Sequence, residues 1–179
     1  MNALLAFDTA TERTDMALAI GGRTWHREGE GGAKASAAFL PSLLGMLEQA
    51  GIGVADLDAI AFGRGPGAFT GLRVACAVAQ GLAFGAAKPV LPIDTLLAIA
   101  EHARGDASAA TVWAVLDARM NEVYAAEYAF VEGRWQVRTA PTLTTAAALN
   151  RIWREVPPEV VAGNALLAMP TALETGVAR

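Results

Sequence analysis

The chain has 179 residues, of which 54% are hydrophobic and 18% are charged, a composition typical of a packed protein with a substantial core. This length fits one ordinary domain or two small lobes. A net charge of -4 gives no general basic surface, so the composition does not favour direct binding of tRNA or DNA.

The apolar segments and the cysteine content predict a cytoplasmic protein without a membrane span. The most apolar stretch, residues 74–87, is shorter than the roughly 20 residues that cross a bilayer. The N-terminus lacks the basic region of a signal peptide and soon reaches Asp8. Because Cys76 is the only cysteine, no disulfide can form within the chain, in keeping with a reducing compartment.

The first half predicts three hairpin-linked strands, followed by helices that cross over to further strands. Apolar or alternating segments predict strands over residues 4–7, 16–20, 23–30, 58–62 and 89–93. Apolar spacing over 36–50 predicts a helix that starts near Pro41 or bends there. Two more helices are predicted over 70–85 and 94–103, with Thr70 and Asp94 as their caps.

The second half repeats this order after a small, polar linker over residues 104–110. It predicts a strand over 112–116, an acidic turn, a hairpin of strands 123–131 and 134–139, a helix over 144–154 and a strand over 160–162. The shared plan predicts an α/β fold of two related lobes with mixed sheets, divided into residues 1–103 and 104–179.

An acidic turn follows the first strand of each half, and both turns could contact phosphate. Asp8, Thr9 and Thr11 follow the first strand, and Asp117 has the corresponding position in the second half. Hydroxyl and amide groups in a tight turn can bind phosphate oxygens, and an aspartate can hold magnesium through water. The alternative is an ordinary Asx or Ser/Thr turn.

The segment GRGPGAFTGLR, residues 63–73, is a second candidate phosphate loop. Gly65 and Gly67 allow a close backbone approach, and Thr70 lies at the start of a helix whose amides favour an anion. The segment nevertheless lacks the lysine of a Walker A motif and matches the Rossmann motif poorly. The alternative is a glycine turn required only for packing a strand against a helix.

Metal and nucleophilic chemistry have little support in the sequence. His26 and His102 are isolated, and their spacing matches no common zinc motif. The residues therefore predict no metal site and no catalytic group.

Several segments carry a family resemblance: ALLAFDTAT, FLPSLLGMLEQAG, GRGPGAFTGLR and DARMNEVY. Together they resemble the bacterial TsaB family, over residues 4 to about 170. TsaB is a subunit of the machinery that makes threonylcarbamoyladenosine beside the anticodon of tRNAs reading codons that begin with adenosine.

The resemblance implies an actin/Hsp70/sugar-kinase-like (ASKHA) fold and a noncatalytic role beside TsaD, which transfers the threonylcarbamoyl group. TsaD carries a pair of metal-binding histidines, and the corresponding positions here are about Thr95 and Ile99. Because neither residue is a histidine, the metal is expected on TsaD alone.

The resemblance also assigns the first two helices to a surface that binds TsaD, forming a heterodimer that TsaE joins. It implies contact with tRNA only through the complex, and a homodimer when TsaD is absent. The residues assigned to this surface are Phe39, Leu40, Leu43, Leu44, Leu47, Arg73, Val74, Ala77, Val78 and Gly81.

The family usually continues for several tens of residues beyond the end of this chain, so the second lobe is expected to be incomplete at its C-terminus. The resemblance therefore implies no cofactor of the chain's own, with weak binding of ATP or ADP and magnesium as the alternative. The alternative function is a weak ATPase or small kinase that uses Asp8 and Thr11. A glycopeptidase of the M22 type is less favoured because metal-ligand spacing is lacking.

Overall fold

Three strands joined by tight turns begin the first sheet of the computed structural model, which describes residues 2–31 and 35–175. These strands are antiparallel, and two later strands add parallel to the first, giving the order β3-β2-β1-β4-β5. The strands are β1 (Ala3–Asp8), β2 (Arg13–Ile20), β3 (Arg23–Glu30), β4 (Ala59–Gly63) and β5 (Val90–Ile93).

Two helices, α1 (Ala35–Ala50) and α2 (Phe69–Ala86), pack against this sheet. Alternate residues of β1 and β2 are buried, among them Leu5 and Leu18, because successive side chains of a strand point to opposite faces. Leu43 of α1 and Ala79 of α2 join them in one hydrophobic core. A short 3₁₀ turn, Val54–Asp56, connects α1 to β4.

The second sheet has the order β8-β7-β6-β9 and repeats the plan of the first. Again a meander of three antiparallel strands carries a parallel strand on the other side of its first member. Its elements are α3 (Thr95–Arg104), β6 (Ala110–Arg119), β7 (Glu122–Val131), β8 (Arg134–Thr145), α4 (Ala146–Glu155), β9 (Val160–Ala162) and α5 (Ala165–Ala168).

Helices that adjoin this second sheet in the sequence cover both of its faces. Trp113 packs edge-to-face on Trp153 of α4, with ring centroids 6.0 Å apart. Val112 lies in a separate cluster with Leu96 and Ala100 of α3. Alternate side chains of β6 therefore belong to two different hydrophobic clusters, one on each face of the sheet. The predicted α/β fold of two related lobes with mixed sheets is confirmed.

The chain divides into two compact units, Met1–Thr95 and Leu96–Arg179. The division predicted from the sequence lies later, between residues 103 and 104. The packing of Leu96 and Ala100 with strands β6 and β7 accounts for the earlier position, because it assigns nearly all of α3 to the second unit.

Several element boundaries differ from the sequence predictions for local reasons. Helix α1 begins six residues before Pro41, and the carbonyl left without its N–H donor belongs to exposed Ala37, where water can reach it. The N-cap of α2 is Ala68, so the prediction that Thr70 caps this helix is wrong. Strands β6 and β8 extend beyond their predicted ends because both are paired along nearly all of β7.

Helix α2 is long and apolar enough, by length and composition alone, to cross a membrane. It exceeds the apolar segment considered in the sequence analysis because it already begins at Phe69. One such helix is weak evidence for a span, and Ala75, Ala79 and Ala83 pack it against the first sheet.

Candidate functional site

The two predicted phosphate-like loops of the first unit contact each other directly. The amide of Ala68 donates to the carbonyl of Ala10 at 2.7 Å, and the Thr9 hydroxyl donates to the carbonyl of Gly71 at 2.7 Å. A Cβ at Gly67 would lie 2.5 Å from Ala10, so glycine is required for this approach. Protein acceptors therefore already use two donors that could otherwise bind a phosphate.

Asp8 ties the same loops to the start of α3. Its carboxylate accepts from the amide of Ala10 at 2.6 Å and from the hydroxyl of Thr95 at 2.7 Å. The same Thr95 hydroxyl accepts from the amide of Gly65 at 3.2 Å. Burial raises the pKa of Asp8 above its ordinary value, although its hydrogen bonds with Thr95 and Ala10 oppose the shift.

Thr95 thus serves in a hydrogen-bond network at a position where the family resemblance places a histidine of TsaD. Ile99, at the second such position, is partly buried against the cluster that contains Leu96. The Thr11 hydroxyl exchanges hydrogen bonds with the backbone of Arg13 in a short turn, and Thr70 is exposed in the first turn of α2.

Asp117 of the second unit lies near the end of β6, as Asp8 does at the end of β1. Its amide donates to the side chain of Asn164 at 2.9 Å, and its carboxylate accepts from the amide of Arg119 at 2.9 Å. Gly63 ends β4 and Gly163 follows β9, the strands that pair in parallel with β1 and β6. A side chain added at these two glycines would meet different atoms. A Cβ at Gly63 would meet the Asp8 carboxylate, whereas a Cβ at Gly163 would meet the Val115 carbonyl.

The hairpin between β6 and β7 turns through residues with positive φ. Met120 and Asn121 have φ of 54° and 62°, as in a type I′ turn, and Arg119 before them has φ of 67°. Met120 is 91% exposed and borders an open pocket of about 720 Å³. Methionine rarely adopts this conformation, so the turn is strained.

Replacing Met120 by asparagine is expected to raise the free energy of unfolding by about 0.5–1 kcal/mol, because asparagine tolerates positive φ. Urea denaturation followed by circular dichroism would measure the change. The control is Met120→Leu, which keeps the apolar character and the strain. Equal stabilities of the two variants would contradict the assignment of strain to this residue.

The structure separates the predicted partner-binding residues into three groups by their exposure. Phe39, Leu43 and Leu47 are buried in the core of the first unit, so they are unavailable to a partner. Val74 and Val78 are partly buried against the same core. The remaining predicted residues are exposed: Leu40, Leu44, Arg73, Ala77 and Gly81.

Two exposed aromatic residues of α2 were missed by the sequence analysis. Phe69 is 67% exposed and Phe84 is 93% exposed. Their helical spacing places them on the same side of α2 as Arg73 and away from the buried Ala79. The polar residues Arg73 and Gln80 were the available signal, because they mark the exposed side of an otherwise apolar helix.

We use the term partner face for the exposed residues of α1 and α2 that the family resemblance assigns to a partner, together with the two exposed aromatic residues of α2. Such a group is larger than the isolated hydrophobic residues that are normal on a protein surface. The partner face comprises Leu40, Leu44, Phe69, Arg73, Ala77, Gly81 and Phe84.

Within residues 2–31 and 35–175, a group with the geometry of metal ligands lies on β2 and β3. It consists of Asp15, His26 and Glu28, all exposed, and Glu28 also forms an ion pair with Arg13. Exposed acidic groups are common without an ion, so the absence of a metal site stays a prediction.

Comparisons with known proteins match most of the chain to one group of proteins. Residues 32–164 match the family model described as TsaD, tRNA N6-adenosine threonylcarbamoyltransferase. The tRNA threonylcarbamoyladenosine biosynthesis protein TsaB of Haemophilus influenzae is 47% identical over 68% of this chain and 51% of its own length. The corresponding protein of Escherichia coli is 41% identical over 70% and 54%. The chain thus spans about half the length of these curated relatives.

A solved structure matches nearly the whole of this chain. YeaZ from Pseudomonas aeruginosa has a TM-score of 0.86 and 35% identity, covering 99% of this chain and 83% of its own. The match agrees with the two mixed sheets of this chain and with its family resemblance.

Proposed function

This chain belongs to the TsaB/YeaZ-type family, and from that premise we propose that it is a noncatalytic subunit of tRNA threonylcarbamoyladenosine biosynthesis that binds TsaD. The partner of the proposed heterodimer carries the metal and transfers the threonylcarbamoyl group to adenosine beside the anticodon.

The exposed apolar partner face carries this proposal. Leu44 on α1 and Phe69 and Phe84 on α2 lie in solvent, although their helices already bury other residues in the core. Apolar area on the surface of a folded lobe gains free energy when a partner covers it. The small residues Ala77 and Gly81 between the aromatic residues would let another helix approach closely.

The hydrogen bonding of the loops supports a noncatalytic role. The side chains of Asp8, Thr9 and Thr95 all have hydrogen-bond partners within the protein. The two loops are also in direct contact, which leaves no space between them for a phosphate. Binding a nucleotide phosphate there would require these contacts to break first. We therefore propose that the chain has no cofactor of its own and binds ATP or ADP with magnesium weakly at most.

The other partners follow from the same role. TsaE joins the heterodimer as a further member, and tRNA is contacted through the complex. The partner face pairs with a second copy of the chain when TsaD is absent, because an exposed apolar face favours burial. The complex works in the cytoplasm.

Leu44→Glu is expected to weaken TsaD binding by roughly tenfold or more, because it places a charge in a desolvated interface. Isothermal titration calorimetry with TsaD from the same organism would measure the dissociation constant, and circular dichroism would confirm the fold. Leu44 is a cleaner position than Val78, where a charge would also disturb the core.

Leu167→Glu provides the matched control, since Leu167 is an exposed leucine on a helix outside the partner face. Its affinity for TsaD should equal that of the unaltered chain. Unchanged affinity of a folded Leu44→Glu variant would contradict the proposed surface. Failure of the unaltered chain to bind TsaD would remove the proposed function itself.

A further inference from the structure

Arg73 is the only charged residue of the partner face. It lies in the second turn of α2 and is exposed, with Phe69 one turn before it and Ala77 one turn after it. A partner that covers this face must therefore cover a guanidinium together with the apolar side chains.

The guanidinium of Arg73 is held in place by stacking. Its central carbon lies 3.2 Å from the centroid of the Phe69 ring. Stacking on an aromatic ring uses the flat face of the guanidinium and leaves its N–H groups, which point outward in its plane, available as donors. Phe69 therefore restricts an otherwise flexible side chain and keeps its hydrogen-bonding edge available.

No carboxylate of the described residues, 2–31 and 35–175, forms an ion pair with Arg73. Helix α2 contains neither aspartate nor glutamate, and the only acidic residue of α1 is Glu48, in its last turn. Both helices lead into parallel strands, β4 and β5, so they run in the same direction and Glu48 lies at the opposite end from Arg73.

The charge of Arg73 is not favoured by the dipole of its own helix. Because it stacks on Phe69, the first residue of α2, its positive charge lies over the first helical turn. The helix dipole is positive at that end, so a cation there is mildly unfavourable. Burying this cation without an anion would cost far more.

We propose that the partner face recognises a protein surface on which a carboxylate lies among apolar side chains, and that Arg73, oriented by Phe69, binds this carboxylate through paired N–H donors. This inference rests on the proposed function and adds the chemistry of the partner. An arginine fork matches the two oxygens of a carboxylate, which makes Arg73 a determinant of partner choice.

Titration of TsaD with charge variants of the chain tests this inference. Arg73→Glu is expected to lower the affinity about 100-fold, because two carboxylates would then face each other in the interface. Arg73→Lys should lose about tenfold, since lysine keeps the charge and lacks the planar fork. The loss for Arg73→Glu should be larger at low than at high ionic strength.

Arg23→Glu is the matched control. Arg23 is likewise exposed and lies over an aromatic ring, that of Trp25 at 5.0 Å, but on β3 outside the partner face. It makes the same change in net charge, so it separates a local pairing from long-range steering. We expect its affinity for TsaD to equal that of the unaltered chain at both ionic strengths.

The possible results separate the inference from the function on which it rests. If the unaltered chain binds TsaD and Arg73→Glu, folded by circular dichroism, binds equally well, the inference is overturned and the proposed function stands. If the unaltered chain does not bind TsaD, both the inference and the proposed function are contradicted. If Arg73→Glu only separates a dimer of the chain alone, seen by size-exclusion chromatography, and leaves TsaD binding intact, the occupant is a second copy and the inference is overturned.

Discussion

Replacing Gly71 by alanine is expected to lower the free energy of unfolding by about 3 kcal/mol, near the upper end of what overpacking costs. The new Cβ would clash with the carbonyl oxygen of Thr9. Because that atom belongs to the backbone, the clash cannot be relieved by a change of rotamer. The Thr9 hydroxyl would also lose its acceptor, the carbonyl of Gly71, if the two loops separated.

Gly81→Ala is the matched control for this substitution, since both glycines lie in α2. A Cβ at Gly81 meets nothing within 4 Å, so the change should raise stability by about 0.5–1 kcal/mol through helix propensity. Chemical denaturation would measure both variants. Two shifts of the same sign would contradict the contact between the loops as described.

Truncating Leu43 to alanine is expected to lower the free energy of unfolding by about 3 kcal/mol, whereas truncating Leu44 should change it by less than about 0.5 kcal/mol. Leu43 is completely buried, and its removal leaves a cavity among Leu5, Met46 and their neighbours. Leu44 is 42% exposed and can be shortened with little loss of core packing.

The same pair of variants should behave in the opposite way toward TsaD. Leu44→Ala removes a contact of the partner face, so it should weaken binding more than Leu43→Ala does at a temperature where both variants are folded. Thermal unfolding and calorimetric titration of the two proteins would compare these effects. A large loss of stability for Leu44→Ala would show that this leucine belongs to the core.

The order of elements could be predicted because strand and turn patterns are local. The Glu132-Gly133 hairpin and strand β9 lie where their turn residues and short apolar run indicated. The duplicated order, with Asp8 and Asp117 at corresponding places, needed only comparison of the two halves. The family resemblance then added the fold class, and the strand orders of the two sheets confirm its α/β character with two related halves.

The faces of α1 and α2 could not be separated from the sequence. Leu43 and Leu44 are identical side chains with opposite environments, and α2 is apolar nearly all round, so spacing alone did not identify Phe69 and Phe84 as exposed. The mutual contact of the two loops was also hidden, because it depends on residues about 60 positions apart in the chain, such as Thr9 and Gly71.

The two glycines beside the central strands impose different limits on evolutionary change. The obstacle at Gly63 is the side chain of Asp8, so a larger residue at position 63 could be accepted together with a smaller one at position 8. The obstacle at Gly163 is the backbone carbonyl of Val115, and its φ of 130° also excludes most side chains. In related sequences, positions 8 and 63 should therefore change together. Glycine at position 163 should be retained, because no side-chain change elsewhere would relieve the clash with the backbone.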